Sequence, residues 1–265
     1  MRKLFIFCGI CFLFTIVVFL YYYNRWSPMW ELEKPHAIYQ ISHHSDDTIR
    51  VIMIGDSWAG LHTDYDNGLQ MQLQKLLPRP VAFESKGKGG EKTKGIYRLL
   101  FEDSIYGFIP LISQSPDYCI ISAGINDAAA NLGVKQYIHH YKMVIDFLLA
   151  KQIRPVIIEI PNVDIWNIYG GKSVKDLLGD YCKSIMTGCK MYNYSEYREA
   201  LKGMLAEEHL LDSVLIVPMA CWNGDSEDIC DNIFLPDKIH LNASGYRKLD
   251  SCMASLIARD FKEDD

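Results

Sequence analysis

The chain has no excess of positive charge and no repetitive segments. Its 27 lysines and arginines are outnumbered by 33 aspartates and glutamates, which gives a formal net charge of −6. Nucleic-acid-binding proteins carry basic patches that neutralise phosphates, and no basic stripe accompanies the aromatic residues here. We therefore expect no nucleic-acid partner. Internal repeats and low-complexity runs are also absent, and the body that follows residue 49 has the size of one ordinary domain.

Charged residues are absent from the N-terminal segment between Leu4 and Tyr23. These 20 residues are about the number that a helix needs to cross a hydrocarbon core of roughly 30 Å. Basic residues precede the segment and interfacial aromatic residues end it, namely Arg2 and Lys3 before, then Tyr21, Tyr22, Tyr23, Trp26 and Trp30. The pattern predicts a cytoplasmic N-terminus (residues 1–3), a single-pass transmembrane signal anchor (4–23), a juxtamembrane linker (24–49) and a domain on the extracytoplasmic side, periplasmic or extracellular (50–265).

A signal-peptidase cleavage site is lacking as well. Such a site needs small residues after the apolar run, whereas the stretch from Phe19 to Arg25 is bulky throughout. Bulky residues also precede Cys8 and Cys11, which does not fit a lipoprotein signal. We therefore favour an uncleaved anchor, with a cleaved signal peptide as the alternative.

Three other kinds of functional site lack residues that they require. A phosphate-binding P-loop would need glycine at the positions of Lys86 and Glu91. The nucleophile elbow of α/β-hydrolases would need glycine where Ala59 stands. The cluster formed by His43, His44, Asp46 and Asp47 lacks the ligand spacing of a metal site. We expect no metal ion and no other cofactor.

Apolar β-rich runs alternate with helical patterns along the body, which is typical of a parallel sheet covered on both faces. The predicted strands are residues 50–54, 80–84, 118–122, 155–160 and 213–217. The predicted helices lie near residues 67–77, 92–102, 134–151, 174–186, 195–207 and 244–260. The fold class is therefore α/β, a flavodoxin-like three-layer α/β/α sandwich around a five-stranded parallel sheet.

Two fragments carry a nucleophile and a base. The first predicted strand ends in Gly55-Asp56-Ser57, which puts Ser57 at the carboxyl end of the sheet, where open α/β folds place their sites. Near the C-terminus, Asp237 and His240 supply an acid and an imidazole three residues apart. A serine hydroxyl needs a base to take its proton, and a carboxylate fixes the tautomer of that base. The pair predicts acyl transfer through a covalent serine ester.

Two further fragments offer donors for the oxyanion that forms when an ester carbonyl is attacked. A glycine-rich stretch, residues 85–90, follows the second predicted strand, and its glycines allow a backbone N–H to approach the substrate closely. The sequence Gly124-Ile125-Asn126-Asp127 follows the third predicted strand and offers the side-chain amide of Asn126.

In this order, the four fragments resemble the sequence blocks of the SGNH (GDSL-type) hydrolase family. Gly-Asp-Ser at residues 55–57, Gly-x-Asn-Asp at 124–127 and Asp-x-x-His at 237–240 fit the family pattern. In the second block, Ser85 stands where family members often carry asparagine. Gly90 fits the spacing of the donor glycine best, with Gly89 next.

The resemblance implies a role for each matching residue. Ser57 would attack the ester, His240 would act as general base and then acid, and Asp237 would orient His240. The backbone N–H groups of Ser57 and Gly90 and the amide of Asn126 would form the oxyanion hole. Asp56 and Asp127 would hold the turns that present their neighbours.

The cysteines allow two disulfides in an exported domain. Cys221 could pair with Cys230 across a short turn-rich loop, and Cys182 could pair with Cys189 if the helix ends before Gly188. Free buried thiols are the alternative for both pairs. Cys119 and Cys252 are expected to be packing residues.

The sequence favours a membrane-anchored serine esterase whose target is O-acetyl groups on cell-surface or extracellular carbohydrate. A tethered enzyme samples polymer near its membrane better than it samples free metabolites. Trp58 and Tyr65 could line a small acyl pocket or a sugar platform, or could be packing residues. The alternatives are an O-acetyltransferase with the same triad, a lipid or thioester hydrolase, and a binding protein without activity.

Overall fold

The computed structural model describes residues 2–63, 65, 68–163, 173–224 and 231–264. Its first element is a 25-residue helix, α1 (Arg2–Trp26), which continues into a 3-10 turn at Ser27–Trp30. The most apolar 18-residue window within Phe5–Trp30 has a mean hydropathy of 2.5, and only 6% of that window is buried. This helix is long and apolar enough to cross a membrane, as predicted.

Five strands form the central sheet. They are β1 (Ile49–Gly55), β2 (Val81–Gly87), β3 (Tyr118–Ser122), β4 (Arg154–Ile158) and β5 (Leu215–Val217). All neighbouring strands are parallel, and their order across the sheet is β2-β1-β3-β4-β5. The five-stranded parallel sheet is confirmed. Its order reverses between β1 and β3, and in open α/β sheets ligands bind outside the carboxyl ends of the strands at such a point.

Helices cover both faces of this sheet. They are α2 (Ser57–His62), α3 (Gly68–Leu76), α4 (Thr93–Leu99), α5 (Ile109–Ile112), α6 (Ile125–Ala129), α7 (Val134–Leu149), α8 (Val174–Thr187), α9 (Tyr194–Glu207) and α10 (Ala243–Asp264). α3 and α10 pack together, and α7 packs against α4 and α9. The predicted three-layer sandwich is confirmed. The sequence did not predict α2, α5 and α6, because helices of four to six residues are too short for an amphipathic repeat.

The first strand is buried on both of its faces. The side chains of Ile52, Met53 and Ile54 are exposed by 2% or less. Strands covered on both sides are continuous apolar runs rather than alternating ones, which is why β1 is evident in the sequence. Burial of each such side chain stabilises the fold by roughly 1.5–3 kcal/mol, so β1 firmly anchors the turn that follows it.

The segment between α1 and β1, predicted as a linker, lies against the domain. The guanidinium of Arg98 in α4 donates two hydrogen bonds, of 3.1 and 3.0 Å, to the carboxylate of Glu33. The hydroxyl of Tyr97 accepts from the backbone N–H of His36 at 2.8 Å, and Tyr39 donates to the carbonyl of Leu100 at 3.0 Å. Residues 33–39 therefore form a strap along α4.

The disulfide of the body differs from the predicted one. Cys221 is bonded to Cys252 on α10, with 6.1 Å between their Cα atoms. The prediction that Cys221 pairs with Cys230 is therefore wrong, as is the prediction that Cys252 is only a packing residue. Cys230 itself lies outside the described residues. Cys221 pairs with Cys252 because the segment that contains Cys221 packs against α10.

The other possible disulfide, between Cys182 and Cys189, does not form, and the alternative of free buried thiols is confirmed. Both thiols are buried and free. α8 ends at Thr187, with Gly188 in a left-handed conformation at φ 71°, as the pairing would have required. The sulfur of Cys189, however, lies beside the start of α7, 3.4 Å from the backbone nitrogen of Val134. Cys119 is a buried core residue, as predicted.

Candidate active site

The turn after β1 places Ser57 at the carboxyl edge of the sheet. β1 ends at Gly55, and Ser57 is the first residue of α2. A Cβ atom on Gly55 would lie 2.1 Å from the carbonyl oxygen of Ser122 in β3, and its φ of 153° disfavours other residues. Only glycine therefore lets β1 end this close to β3 and turn directly into the helix.

The side chain of Asp56 holds this turn together. One carboxylate oxygen accepts from the backbone N–H of Trp58 and from the hydroxyl of Ser122, both at 3.0 Å. The other accepts from the amide of Asn126 at 3.3 Å. Burial raises the pKa of Asp56 to about 6, against the hydrogen bonds that favour its charged form. The contacts fit the structural role that the resemblance implied.

Three side chains form a chain of hydrogen bonds across the edge of the sheet. Nε2 of His240 lies 3.0 Å from Oγ of Ser57, and its Nδ1 lies 2.6 Å from a carboxylate oxygen of Asp237. Folding thus brings residues 183 positions apart in the sequence into direct contact. The geometry is that of a nucleophile, a base and an orienting acid.

The carboxylate of Asp237 is held in place by hydrogen bonds within its own turn. Oδ1 of Asp237 accepts from the backbone N–H groups of Ile239 and His240, at 2.9 and 3.0 Å. Partial burial acts to raise the pKa of Asp237, but hydrogen bonds from His240 and from these N–H groups hold it below its usual value. Asp237 therefore stays ionised opposite the imidazole.

Trp58 lies beneath the loop that carries His240 and does not line an open pocket. It is only 1% exposed, and its indole N–H donates to the carbonyl of Ile239 at 3.1 Å. Its ring packs against those of Trp222 and Phe234, with centroids 5.6 and 6.4 Å away. Of the two readings of Trp58, a pocket residue or a packing residue, its burial beneath this loop favours packing.

Tyr65, the other predicted pocket residue, packs against the last helix. Its ring lies 4.8 Å from the ring of Tyr246 in α10, and it is partly exposed. A role for Tyr65 at the substrate stays a prediction.

Two of the predicted oxyanion donors have free N–H groups. Among the described residues, neither the N–H of Ser57 nor that of Gly90 has a hydrogen-bond acceptor. Gly90 is exposed, with φ 73°, in the turn closed by the 3.1 Å bond from the Glu91 N–H to the Lys88 carbonyl. The left-handed conformation favours glycine at this position, whereas Gly89 has no such requirement.

The third predicted donor, Asn126, lies in the first turn of α6, which follows β3. Its amide donates to the carbonyl of Glu91 at 2.9 Å and, over a longer 3.3 Å, to Asp56. The amide is therefore held between the second block and the turn of the nucleophile. Asp127 is buried beside it and accepts from the hydroxyl and N–H of Thr93, at 2.5 and 3.1 Å, which fixes the start of α4.

The second block departs from the family pattern at Ser85, and the structure shows what this residue does. Its hydroxyl donates to the carbonyl of Ala59 at 2.5 Å, which ties β2 to α2. Nearby, a Cβ on Gly87 would lie 2.1 Å from the carbonyl oxygen of Asp56. Gly87 is therefore needed for close packing against the turn that carries Ser57, whereas a Cβ on Gly90 would meet no atom within 4 Å.

A family model matches most of the predicted domain and identifies the family of the chain. The family model for GDSL-like lipases and acylhydrolases matches residues 53–248. The chain belongs to this family. It is thus an enzyme of the ester-hydrolysing GDSL (SGNH) class, and the resemblance drawn from its four sequence blocks is confirmed.

Solved structures with the GDSL fold are similar to this chain over most of their length. An acetyl xylan esterase, AlAXEase, is 18% identical with a TM-score of 0.54, covering 78% of this chain and 98% of its own. The psychrotrophic esterase EstA from Pseudoalteromonas sp. is 15% identical, with a TM-score of 0.52 and coverage of 82% and 100%. A GDSL-like lipase from Bacteroides thetaiotaomicron VPI-5482 is 13% identical, with a TM-score of 0.52 and coverage of 82% and 89%. No curated protein sequence matches the chain.

Proposed function

We propose that this GDSL-family enzyme is a serine esterase in which Ser57, His240 and Asp237 act as a catalytic triad. The observation that carries the proposal is the continuous hydrogen-bonded chain from Ser57 through His240 to Asp237. His240 takes the proton of Ser57 as the hydroxyl attacks the ester carbonyl, and then gives that proton to the leaving alcohol. Water attacks the acyl-enzyme by the same route in reverse.

The oxyanion of each tetrahedral intermediate would be held by the N–H groups of Ser57 and Gly90 and by the amide of Asn126. Support comes from the free N–H groups of the first two residues and from the position of the Asn126 amide near the nucleophile turn. Of the two hydrogen bonds that Asn126 makes, the 3.3 Å bond to Asp56 is the weaker. Exchange of that bond for one to the oxyanion costs little.

The proposed substrates are O-acetyl groups on cell-surface or extracellular carbohydrate. Ser57 and His240 are partly exposed, and Gly89 and Gly90 at the rim are exposed, so a bulky polymeric alcohol has room beside a small acyl group. Access of water to the acyl-enzyme favours hydrolysis over transfer to a sugar hydroxyl. The same fold carries acetyl xylan esterase activity in AlAXEase, which makes this substrate class the first to test.

We further propose that α1 anchors the enzyme as an uncleaved single-pass helix, with the catalytic domain on the extracytoplasmic side. Support comes from the apolar length of α1, the basic residues before it and the disulfide in the body. Disulfides persist in oxidising compartments and are rare in the cytosol.

Hydrolysis assays on the full chain in detergent test the activity. The substrates are aryl acetate, butyrate and longer esters, with acetylated xylan beside them, for wild type, Ser57→Ala and the exposed-surface control Ser251→Ala. We expect acetate release by wild type and Ser251→Ala but not by Ser57→Ala. Transfer of acetyl to an added sugar in place of water would favour a transferase, and acetate release that persists in Ser57→Ala would overturn the proposal.

A further inference from the structure

A cleft that does not include Ser57 or His240 lies between the end of α1 and the helix α8. Its volume is about 360 Å³. Tyr22, Arg25 and Trp26 line it from α1, and Lys175, Gly179 and Lys183 line it from α8.

The two helices that form this cleft pack closely and in register. The hydroxyl of Tyr22 donates to the carbonyl of Lys175 at 3.3 Å. One turn further along both helices, a Cβ on Gly179 would lie 2.9 Å from the ring of Trp26. A further turn along α8, the ammonium of Lys183 lies 4.7 Å from the centroid of that ring. The start of α8 is therefore level with Tyr22, at the end of the apolar run.

The acids of the cleft are held by residues of α8 and its flanks, whereas Arg25, among the described residues, donates only to the neutral hydroxyl of Tyr21, at 3.3 Å. Asp180 accepts from Lys183 at 3.2 Å and from the hydroxyl of Tyr192, and Asp176 accepts from Ser173 at 2.6 Å. Within the described ranges, no carboxylate forms an ion pair with Arg25 on one wall or with Lys175 on the other. The cleft is thus lined by three cations, Arg25, Lys175 and Lys183, against two carboxylates, which leaves one positive charge in excess.

The position of the cleft relative to a bilayer crossed by α1 indicates which anion it could bind. Tyrosine and tryptophan concentrate at the headgroup level of a bilayer, and Tyr22 and Trp26 line this cleft. Val174, in the first turn of α8 and so near the level of Tyr22, is 83% exposed, as suits a side chain that contacts lipid. Phosphate groups of lipids occupy this depth, and basic residues near the membrane attract anionic lipid.

We propose that this cleft binds the phosphate headgroup of an anionic phospholipid through Arg25 and Lys175, and so fixes the domain against the bilayer surface. The proposal rests on the proposed anchoring by α1 and is independent of the triad. A headgroup that bridges α1 and α8 would hold the domain at one height and orientation relative to the bilayer.

Native mass spectrometry of the full chain tests the site. The chain is released from nanodiscs that contain equal amounts of phosphatidylcholine and phosphatidylglycerol, and the retained lipids are identified. We expect wild type to retain phosphatidylglycerol preferentially. Arg25→Gln or Lys175→Gln should lower the ratio of retained phosphatidylglycerol to phosphatidylcholine by roughly 5-fold, and the double variant by about 30-fold.

The matched control is the double variant Lys75→Gln with Lys248→Gln, which removes the same charge from exposed positions on α3 and α10. It should keep the wild-type ratio, and every variant should hydrolyse a soluble ester at the wild-type rate. Equal retention of the two lipids by wild type, or an equal loss in the control, would overturn the proposal. So would displacement of the lipid by millimolar inorganic phosphate, or a second copy of the chain retained in its place. Intact mass reports separately whether α1 is still attached: a mature chain without it would overturn the anchoring and the cleft together, with the triad untouched.

Discussion

The indole N–H of Trp58 donates to the carbonyl oxygen of Ile239 over 3.1 Å. Trp58 directly follows Ser57, and Ile239 directly precedes His240. One partly buried hydrogen bond therefore joins the segment of Ser57 to the segment of His240. It adds to the local backbone hydrogen bonds of the His240 segment, such as the 2.7 Å bond from the Leu235 N–H to the His240 carbonyl.

We predict that Trp58→Phe, which keeps an aromatic ring but removes the donor, lowers kcat by roughly 10-fold with little change in KM. The kcat should fall because the Ile239 carbonyl loses its hydrogen-bond donor and no longer holds the neighbouring His240 in place. The unpaired carbonyl should also lower stability by about 1–3 kcal/mol. Steady-state kinetics on aryl acetate, with thermal unfolding, measure both effects.

Trp222→Phe is the matched control for this variant. Trp222 packs on the ring of Trp58, but its own indole nitrogen is buried without a hydrogen-bond partner among the described residues. Its loss of ring area should lower stability and leave kcat nearly unchanged. Equal losses of kcat in the two variants would show that packing, rather than the hydrogen bond, positions the loop.

Asn126→Ala is expected to lower kcat by roughly 10²-fold, because one oxyanion donor is lost. The affinity for substrate should change little, since this donor acts on charge that develops in the transition state. Asn193→Ala is the control: Asn193 caps α9, where its side chain accepts from the N–H of Glu196, so its loss should cost about 1 kcal/mol of stability without affecting kcat. A kcat for Asn126→Ala within 2-fold of wild type would remove Asn126 from the oxyanion hole.

The stability of the domain should depend on pH through Asp127. Burial raises the pKa of this carboxyl to about 6, above its ordinary value of 3.8. A carboxyl whose pKa is higher in the folded state is favoured there while protonated, so its contribution is full below about pH 4 and declines as pH rises through about 6. Asp127→Asn keeps a carbonyl oxygen for Thr93 and removes the charge.

We therefore expect Asp127→Asn to gain stability relative to wild type as the pH rises. The free energy of unfolding of the variant minus that of wild type should be larger at pH 7 than at pH 4.5, by on the order of 2 kcal/mol. Thermal or chemical unfolding at the two pH values measures this double difference. A difference of the opposite sign would show that Asp127 is stabilised as the anion by its hydrogen bonds with Thr93.

The Cys221–Cys252 disulfide should stabilise the region around the base. It closes a loop of 31 residues, which contains the His240 turn, so its reduction should lower stability by about 2–4 kcal/mol. Cys252→Ser and Cys221→Ser should each lower the unfolding temperature, and the double variant should add little to either. Non-reducing peptide mapping checks the pairing, and a map that joins Cys221 to Cys230 would contradict it.

Much of the fold and of the candidate site could be predicted because short, local sequence patterns determine both. β1 is a continuous apolar run that stops at Gly55, and the sheet edge that it defines puts Ser57 where His240 can meet it. The features that the sequence did not predict depend on contacts between distant residues. Trp58 is buried only because the loop 181 residues later folds over it, and Cys252 pairs only because α10 faces the segment at Cys221.

The strap of residues 33–39 illustrates the same limit. The sequence places it only within a juxtamembrane linker, and its contacts with Arg98 and Tyr97 arise only once α4 is in place. Ser85 departs from the asparagine that family members often carry, and no local pattern predicts that its hydroxyl reaches the carbonyl of Ala59.

Covalent labelling of the full chain by an aryl or alkyl fluorophosphonate tests most directly whether His240 activates Ser57. The serine oxygen attacks phosphorus, fluoride leaves, and peptide mapping locates the adduct. We predict a single adduct on the peptide that contains Ser57, formed at least roughly 10³-fold more slowly in His240→Ala. An adduct on another serine, or an equal rate in wild type and His240→Ala, would contradict the triad.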